Sequence, residues 1–385
     1  MMKRKTTLKF YTVILLAVLM HKNSTAQSCI VTVKNPSAIA FRQHVFEIPW
    51  AEIEKRFANI DTAKLIVLDA STNKQLLFQL ETKGTNTIQN LLLQIDVKPL
   101  QIKKIKLAYG KRIPFTAKTF GRYVPERKDD FAWENDKTAY RMYGKALELT
   151  PAEMAYGIDV WVKRVDRLIL NERYKLADYH KDHGDGLDYY SVGKSLGAGN
   201  IAPYINDSVY YDGTWQEYKV LDNGPLRTSF KLTYKAYTVG NNIVTAVKTI
   251  SLDAGSQLNK ISVQYNGAKD AAMQVVAGII TRKGVGVKYL DEAGGILSYW
   301  EPKHGDDGTT AVACIFTTPV LQMTEAGGQL LAKIFTDKNY SIIYFAGAAW
   351  DKAGQIKNAD EWNSYLRNFQ QQQKTTFTYS YQFFK

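Results

Sequence analysis

The segment Leu226–Val239, LRTSFKLTYKAYTV, alternates apolar and polar side chains most regularly through its middle, and IVTAVKTISL (243–252) repeats the pattern after Asn241-Asn242. Alternation with period two is the mark of strands with one buried face. KISVQY (260–265) and MQVVAGII (273–280) continue it, with Ala254-Gly255 as a turn and Asn223-Gly224-Pro225 turning the chain before it. Successive strands with almost no helix between them predict a large two-layered antiparallel β-sandwich and argue against a parallel α/β fold.

Upstream, Cys29 to about Phe115 holds shorter alternating runs, CIVTV, HVFEIPW, AKLIVLDA, KQLLFQL, NLLLQIDV and IKKIKLAY, with turn signals at Asn73 and Gly84. These predict an N-terminal β-sandwich portion over residues 27–115, leaving 116–385 as the large β-domain. Helices are few. Trp50–Ala58 suits one short helix, Thr150-Pro151-Ala152-Glu153 reads as a capping box opening another, and Asn358 caps a helix running to Phe369. In that last helix Trp362, Tyr365, Leu366 and Phe369 form an apolar stripe that reads as core packing. TTFTYSYQFF closes the chain as a strand.

The chain opens with Lys3, Arg4, Lys5 and Lys9, an apolar run from Phe10 to Met20, and Ser24 and Ala26 at cleavage spacing. This is the pattern of a signal peptide over residues 1–26, and the run is too short for a membrane anchor. Lipid attachment at Cys29 is the rival reading, but Ala26-Gln27-Ser28 lacks the branched apolar residue of such a site. The expected location is the periplasm or outside the cell. Formal charge is +13, and removing the leader leaves 45 basic against 37 acidic residues, or +8. For an exported protein that balance favours an acidic polysaccharide over nucleic acid as partner. Two cysteines, Cys29 and Cys314, permit one bridge at most. No later run is long and apolar enough to cross a membrane.

Three segments carry candidate chemistry. Tyr179–Asn200, YHKDHGDGLDYYSVGKSLGAGN, gathers two histidines, aspartates, tyrosines and five glycines without a periodic apolar face, and reads as a functional loop. Gly121–Gly144 contains Trp133-Glu134-Asn135-Asp136 and Tyr140-Arg141-Met142-Tyr143; an extended chain puts Arg141 and Tyr143 on one face with Ala139. That face either lines a cleft or holds a structural ion-pair cluster. Leu297–Phe316 is a second polar loop with Trp300, Glu301, His304, Asp306 and Asp307, and the two loops would make one cleft if they share an end of the sandwich. Gly193-Lys194-Ser195-Leu196-Gly197 matches a nucleophile elbow but lacks the flanking strand and helix, and Asp188 stands where a phosphate loop needs glycine. His180, His183, Asp182, Asp185 and Asp188 have neither zincin nor EF-hand spacing, though calcium could occupy an oxygen-rich, glycine-rich loop of Asp182, Asp185 and Asp188.

The WEND segment with Arg141 and Gly144, the 179–200 loop, Asn223-Gly224-Pro225-Leu226-Arg227 and Tyr299-Trp300-Glu301-Pro302 together resemble the family called domain of unknown function 4861. The ordered motifs span nearly the whole mature chain. The resemblance implies a secreted bacterial protein of polysaccharide utilisation, a galactose-mutarotase-like supersandwich, and dehydration or elimination on uronate-containing oligosaccharides. It weights His180 above His183. Such chemistry needs a base, a group to neutralise the uronate carboxylate, and an acid for the leaving oxygen. His180 or Tyr190 suits the base, Arg141 and Lys194 the carboxylate, and Trp133, Trp300 or Trp350 a sugar ring. Glu134, Asn135, Asp136, Arg227, Glu301 and His304 complete the expected substrate contacts. The alternatives are a glycoside hydrolase using Glu134 and Glu301, which requires two carboxylates roughly 5–10 Å apart across a cleft, and a non-catalytic glycan-binding protein.

Overall fold

The computed structural model describes residues 28–384 apart from 56, 58, 59, 177, 270 and 271. The expected signal peptide, residues 1–26, lies outside the described residues. All named strand pairs are antiparallel, as the alternating sequence requires. A nine-stranded sheet forms the backbone of the large body; within it Arg227–Tyr234, Asn242–Asp253, Leu258–Asn266, Ser341–Trp350, Thr310–Phe316 and Ile296–Trp300 are successive neighbours. Two five-stranded sheets face it. One is built around Ala198–Ile205, Gln274–Ile280 and Gln329–Phe335, the other around Asp130–Asn135, Thr138–Met142 and Asp159–Lys163. One continuous apolar core joins all three sheets, including Trp133, Tyr140, Phe230, Ile250, Val275 and Tyr344. This is the expected all-β supersandwich.

The N-terminal portion is a smaller sandwich of a four-stranded and a three-stranded sheet around its own core of Val31, Phe46, Leu93 and Leu107. The last strand of the chain, Thr378–Phe384, belongs to it and not to the large body, pairing along Ser28–Lys34 from Ser28↔Phe384 to Lys34↔Thr378. Arg227 fastens the two bodies. Its guanidinium bonds Glu47 and Glu81 of the small sandwich and Asp253 of the large sheet, while Gln79 Oε1 accepts from the backbone N–H groups of Leu226 and Arg227. Arg227 is therefore a structural tie between the two bodies, and it also lines the hollow between them. Cys29 is buried in the small core, where burial pushes its thiol up to about 11; Cys314 is buried in the large one, and both are free.

The long helix Ala359–Gln373 follows its sequence signals. Asn358 Oδ1 accepts the N–H of Glu361 at 2.9 Å, the Glu361 carboxylate accepts the N–H of Lys357 at 2.8 Å, and Trp362 and Leu366 bury against the outer face of the nine-stranded sheet. It runs four residues beyond Phe369. The other two helix expectations shrink. Among the described residues of the first, Trp50–Glu54 is helical, and Pro151–Glu153 forms a single 3₁₀ turn. There the capping box fails: the Thr150 hydroxyl donates to Leu147 O, and Glu153 pairs with Lys128. No helix among the described residues is long and apolar enough to cross a membrane.

Candidate functional site

The strands Asp130–Asn135, Thr138–Met142 and Asp159–Lys163 are buried on both faces. Their inner side chains, Phe131, Trp133, Tyr140, Met142, Val160 and Val162, join the main core. Their outer side chains include Asp130, Glu134, Arg141, Asp159 and Lys163, and are covered by Leu170, Tyr174 and Tyr179 of the chain that crosses back over the sheet. Buried charges must pair. Lys163 Nζ bonds Glu134 Oε2 at 2.6 Å and Asn135 O at 2.7 Å, and Glu134 also accepts the N–H groups of Ile169 and Leu170. Asn135 ties the carbonyls of Asp253 and Ser256, and Asp136 accepts the N–H of Gly255. Trp133 is fully buried and donates from Nε1 to Asn259 Oδ1 at 2.7 Å. The whole Trp133–Asp136 segment is thus scaffold, which corrects its assignment to substrate; Glu134 has no free oxygen to serve as a hydrolase carboxylate.

Arg141 sits at the open end of this buried ladder. Its register partner across the strands is Asp159, and Nε meets Asp159 Oδ2 at 2.5 Å while Nη2 meets Asp188 Oδ2 at 2.9 Å. Nη1 lies 3.6 Å from Asp130 Oδ2 and has no hydrogen-bond partner among the described residues. Burial alone would lower the guanidinium, but Asp159, Tyr143, Asp188 and Asp130 more than offset it and hold the charge. Burial pushes Asp188 well above the usual carboxylate range, with Asp159 adding to it, and raises Asp130 to about 6 against the pull of Arg141. The cluster therefore sits nearer neutrality than its formal charges suggest.

Beside Arg141 opens a hollow of about 430 Å³, lined also by Tyr143, Met154, His180, Asp188 and Tyr190. His180 stands at its mouth, with its side chain 61% exposed. Its Nδ1 is 2.7 Å from the Asp188 carbonyl oxygen, which can only accept, so Nδ1 is the donor and, in the neutral tautomer, Nε2 is the nitrogen left with a lone pair. Tyr190 is buried, and its hydroxyl has no hydrogen-bond partner among the described residues. Burial, with Glu301 adding to it, pushes that hydroxyl well above the usual phenol range, and burial with Asp159 does the same for Tyr143. Both tyrosines are proton donors at neutral pH, not bases.

The two polar loops do meet. Tyr189 stacks on His304 with ring centroids 4.9 Å apart, and its hydroxyl bonds Thr310 Oγ1 at 2.5 Å. Behind Tyr190, Arg282 lies over the ring at 4.4 Å, donates from Nη1 to Ser191 O at 2.6 Å, and meets Glu301 Oε1 at 2.9 Å. Burial raises Glu301 to about 7, opposed by Arg282. Arg282 was invisible in the sequence because its surroundings, Thr281-Arg282-Lys283-Gly284, read as an ordinary turn.

The remaining expected residues fall elsewhere. Lys194 is exposed and does not line the hollow. Trp300 packs beneath the long helix on the opposite face of its sheet, and Trp350 is buried with Nε1 donating to Asp307 O at 2.7 Å. Neither lines the hollow: alternation turns Trp300 to the helix side of its sheet, and Trp350 sits in the main core with Arg164 over its ring at 4.8 Å. Asp182 pairs with Arg164, Asp185 with Arg167 and Arg173, and Asp188 with Arg141, so the three candidate calcium ligands diverge to separate arginines. Among the described residues no group of three or more His, Cys, Asp or Glu side chains is placed to hold a metal. Ser195 is no nucleophile. Its hydroxyl donates to Val192 O and accepts the N–H of Gly197, closing a turn. Gly197, at φ +61°, needs its hydrogen because a Cβ would stand 2.4 Å from Ile158 O.

Comparison with known proteins agrees with this architecture. The chain is 29% identical over 378 residues to Uncharacterized protein P7 of Formosa agariphila, covering 92% of this chain and 93% of that one. Among solved structures it is similar to a protein in the glycosyl hydrolase family 38 from Enterococcus faecalis (TM-score 0.51, 10% identity) and to an alpha-mannosidase from Enterococcus faecalis V583 (TM-score 0.51, 9% identity). Each likeness covers 94% of this chain but only 48% and 47% of the other, so the chain spans about half their length and shares a fold with that part. The family model for Domain of unknown function (DUF4861) matches residues 33–378, and the chain belongs to that family.

Proposed function

We propose that this protein is a carbohydrate-active lyase or dehydratase that acts after export by β-elimination on uronate-containing oligosaccharides. One observation carries the reading: Arg141 and Tyr190, each with a buried donor that has no hydrogen-bond partner among the described residues, line the same hollow as the imidazole of His180. Unpaired buried donors cost free energy, and a ligand with acceptor oxygens would satisfy them. In this reading the uronate carboxylate takes Arg141 Nη1. His180 Nε2 removes the proton on the ring carbon next to the carboxylate, that electron pair forms the ring double bond, and the carbon–oxygen bond beyond it breaks. Tyr190, protonated by its burial, supplies the proton to the leaving oxygen, which departs as water or as a sugar. The hydrolase alternative loses its pair of carboxylates, since Glu134 is locked inside the sheet. The supersandwich likeness to glycosyl hydrolase structures is consistent with work on carbohydrate but chooses no reaction.

The test is to incubate the mature protein with saturated and lyase-generated uronate oligosaccharides while following ultraviolet absorbance and product mass. Absorbance with loss of water means dehydration, and absorbance with chain cleavage means lysis. His180→Ala should remove the signal from a folded protein; near-full activity in that variant would exclude His180 as base.

A further inference from the structure

A second hollow, of about 530 Å³, lies on the far side of the Met154–Tyr156 segment, and Met154 lines both. The segment is a fixed partition. Tyr156 N–H donates to Gly193 O at 3.3 Å, and Tyr156 O accepts from Asn200 Nδ2 at 2.7 Å, which pins it to the loop that carries Tyr190. Four tyrosines line this hollow: Tyr156, Tyr210, Tyr211 and Tyr237. Tyr156 and Tyr211 are stacked, centroids 5.0 Å apart and planes 22° from parallel, and Gln329 Nε2 fixes the Tyr211 hydroxyl at 3.1 Å. The Tyr237 hydroxyl is buried without a hydrogen-bond partner among the described residues. The cation of the hollow, Lys235, is taken by both oxygens of Glu148 at 2.9 and 2.8 Å.

We propose that this hollow is a second sugar subsite, taking an uncharged ring of the same oligosaccharide whose uronate occupies the His180 hollow. The inference rests on the uronate reading of that first hollow. Rigid tyrosine rings give an apolar surface to the C–H face of a sugar and wet hydroxyls to its edge. A Lys235 already neutralised by Glu148 gives no preference for a second carboxylate, which favours an uncharged ring. Because Met154 is common to both hollows, one chain crossing it would occupy the two together. The substrate would then be an oligosaccharide in which uronate and neutral sugar are neighbours.

The experiment uses saturated oligosaccharides of alternating uronate and neutral sugar, two, four and six residues long, so that even the disaccharide keeps the proton next to its carboxylate. Wild-type KM should fall about tenfold from the disaccharide to the tetrasaccharide, the equivalent of about 1.4 kcal/mol. Tyr211→Ala should erase that dependence on length with kcat unchanged, and Tyr211→Phe, which keeps the ring, should preserve it. A wild-type KM independent of length, or a dependence that survives Tyr211→Ala, overturns the subsite. Should no oligosaccharide be turned over, the reading of the first hollow fails, and calorimetric binding decides the second alone. Tighter binding of the tetrasaccharide that Tyr211→Ala abolishes would uphold the subsite, and equal binding of all lengths would overturn it.

Discussion

Glu134→Gln separates scaffold from chemistry. In the wild type Lys163 is 1% exposed, bonds Glu134 at 2.6 Å and has Asn135 O as its other acceptor. Glutamine keeps an oxygen for the N–H groups of Ile169 and Leu170 but leaves the ammonium without its counter-charge. Breaking a buried pair from one side costs about 3–5 kcal/mol. At about 2–4 °C per kcal/mol for large domains, the thermal midpoint should fall on the order of 10 °C. The loss should depend on pH. Burial already holds Lys163 below its usual range, with Glu134 opposing that shift, so removing the carboxylate lowers it further. Between the two folded values the wild type keeps a proton that the variant has released, so the variant's deficit shrinks as pH rises through that interval. Calorimetric scans across neutral to alkaline pH measure both quantities. Turnover below both transitions should be unchanged, whereas a catalytic carboxylate would cost about 10²–10⁴-fold. An unshifted midpoint together with lost turnover would refute the assignment of Glu134 to the scaffold.

The other predictions probe the hollow and the core. Tyr190→Phe removes a buried hydroxyl that has no partner, so the midpoint should hold or rise while kcat drops about 10²–10⁴-fold; equal turnover would remove Tyr190 as the acid. Glu301, held up to about 7, binds a proton in the folded protein that the unfolded chain has already lost, so wild-type stability should fall as pH climbs from about 4.5 through 7. Glu301→Gln should flatten that slope in denaturant titrations, and parallel slopes would contradict the buried setting of the carboxyl. Lys248, inside the main core, bonds Asp212 at 2.6 Å and Asn200 at 2.7 Å and lies over the Tyr234 ring at 4.6 Å. Lys248→Met alone should cost about 3–5 kcal/mol, and adding Asp212→Leu should recover most of it; additive losses in equilibrium unfolding would rule out direct pairing.

What could be read from the chain and what could not follows from the range of each signal. Alternation is local, so the meander from Arg227 to Ile280 and the capped helix at Asn358 were legible. Pairing is not local: nothing near Thr378–Phe384 says that its partner is Ser28–Lys34 at the other end of the chain. The WEND segment failed for a subtler reason. Alternation puts Arg141 on one face with Ala139, but does not show whether that face is wet, and here Leu170, Tyr174 and Tyr179 of the crossing chain seal it. Once sealed, a polar face must satisfy itself, and Glu134, Asn135, Asp136 and Lys163 do so completely. Arg141 keeps one nitrogen without a hydrogen-bond partner among the described residues, 3.6 Å from Asp130 Oδ2, and its side chain lines the hollow where the chain passes Asp188 toward Tyr190. The charge-rich motif is thus mostly structural, and its last member, Arg141, lines the hollow at the edge of a buried ion-pair ladder. The aspartates of the 179–200 loop fit the same account: Asp182 and Asp185 anchor the loop to arginines beneath it, and that anchoring sets His180 on the rim.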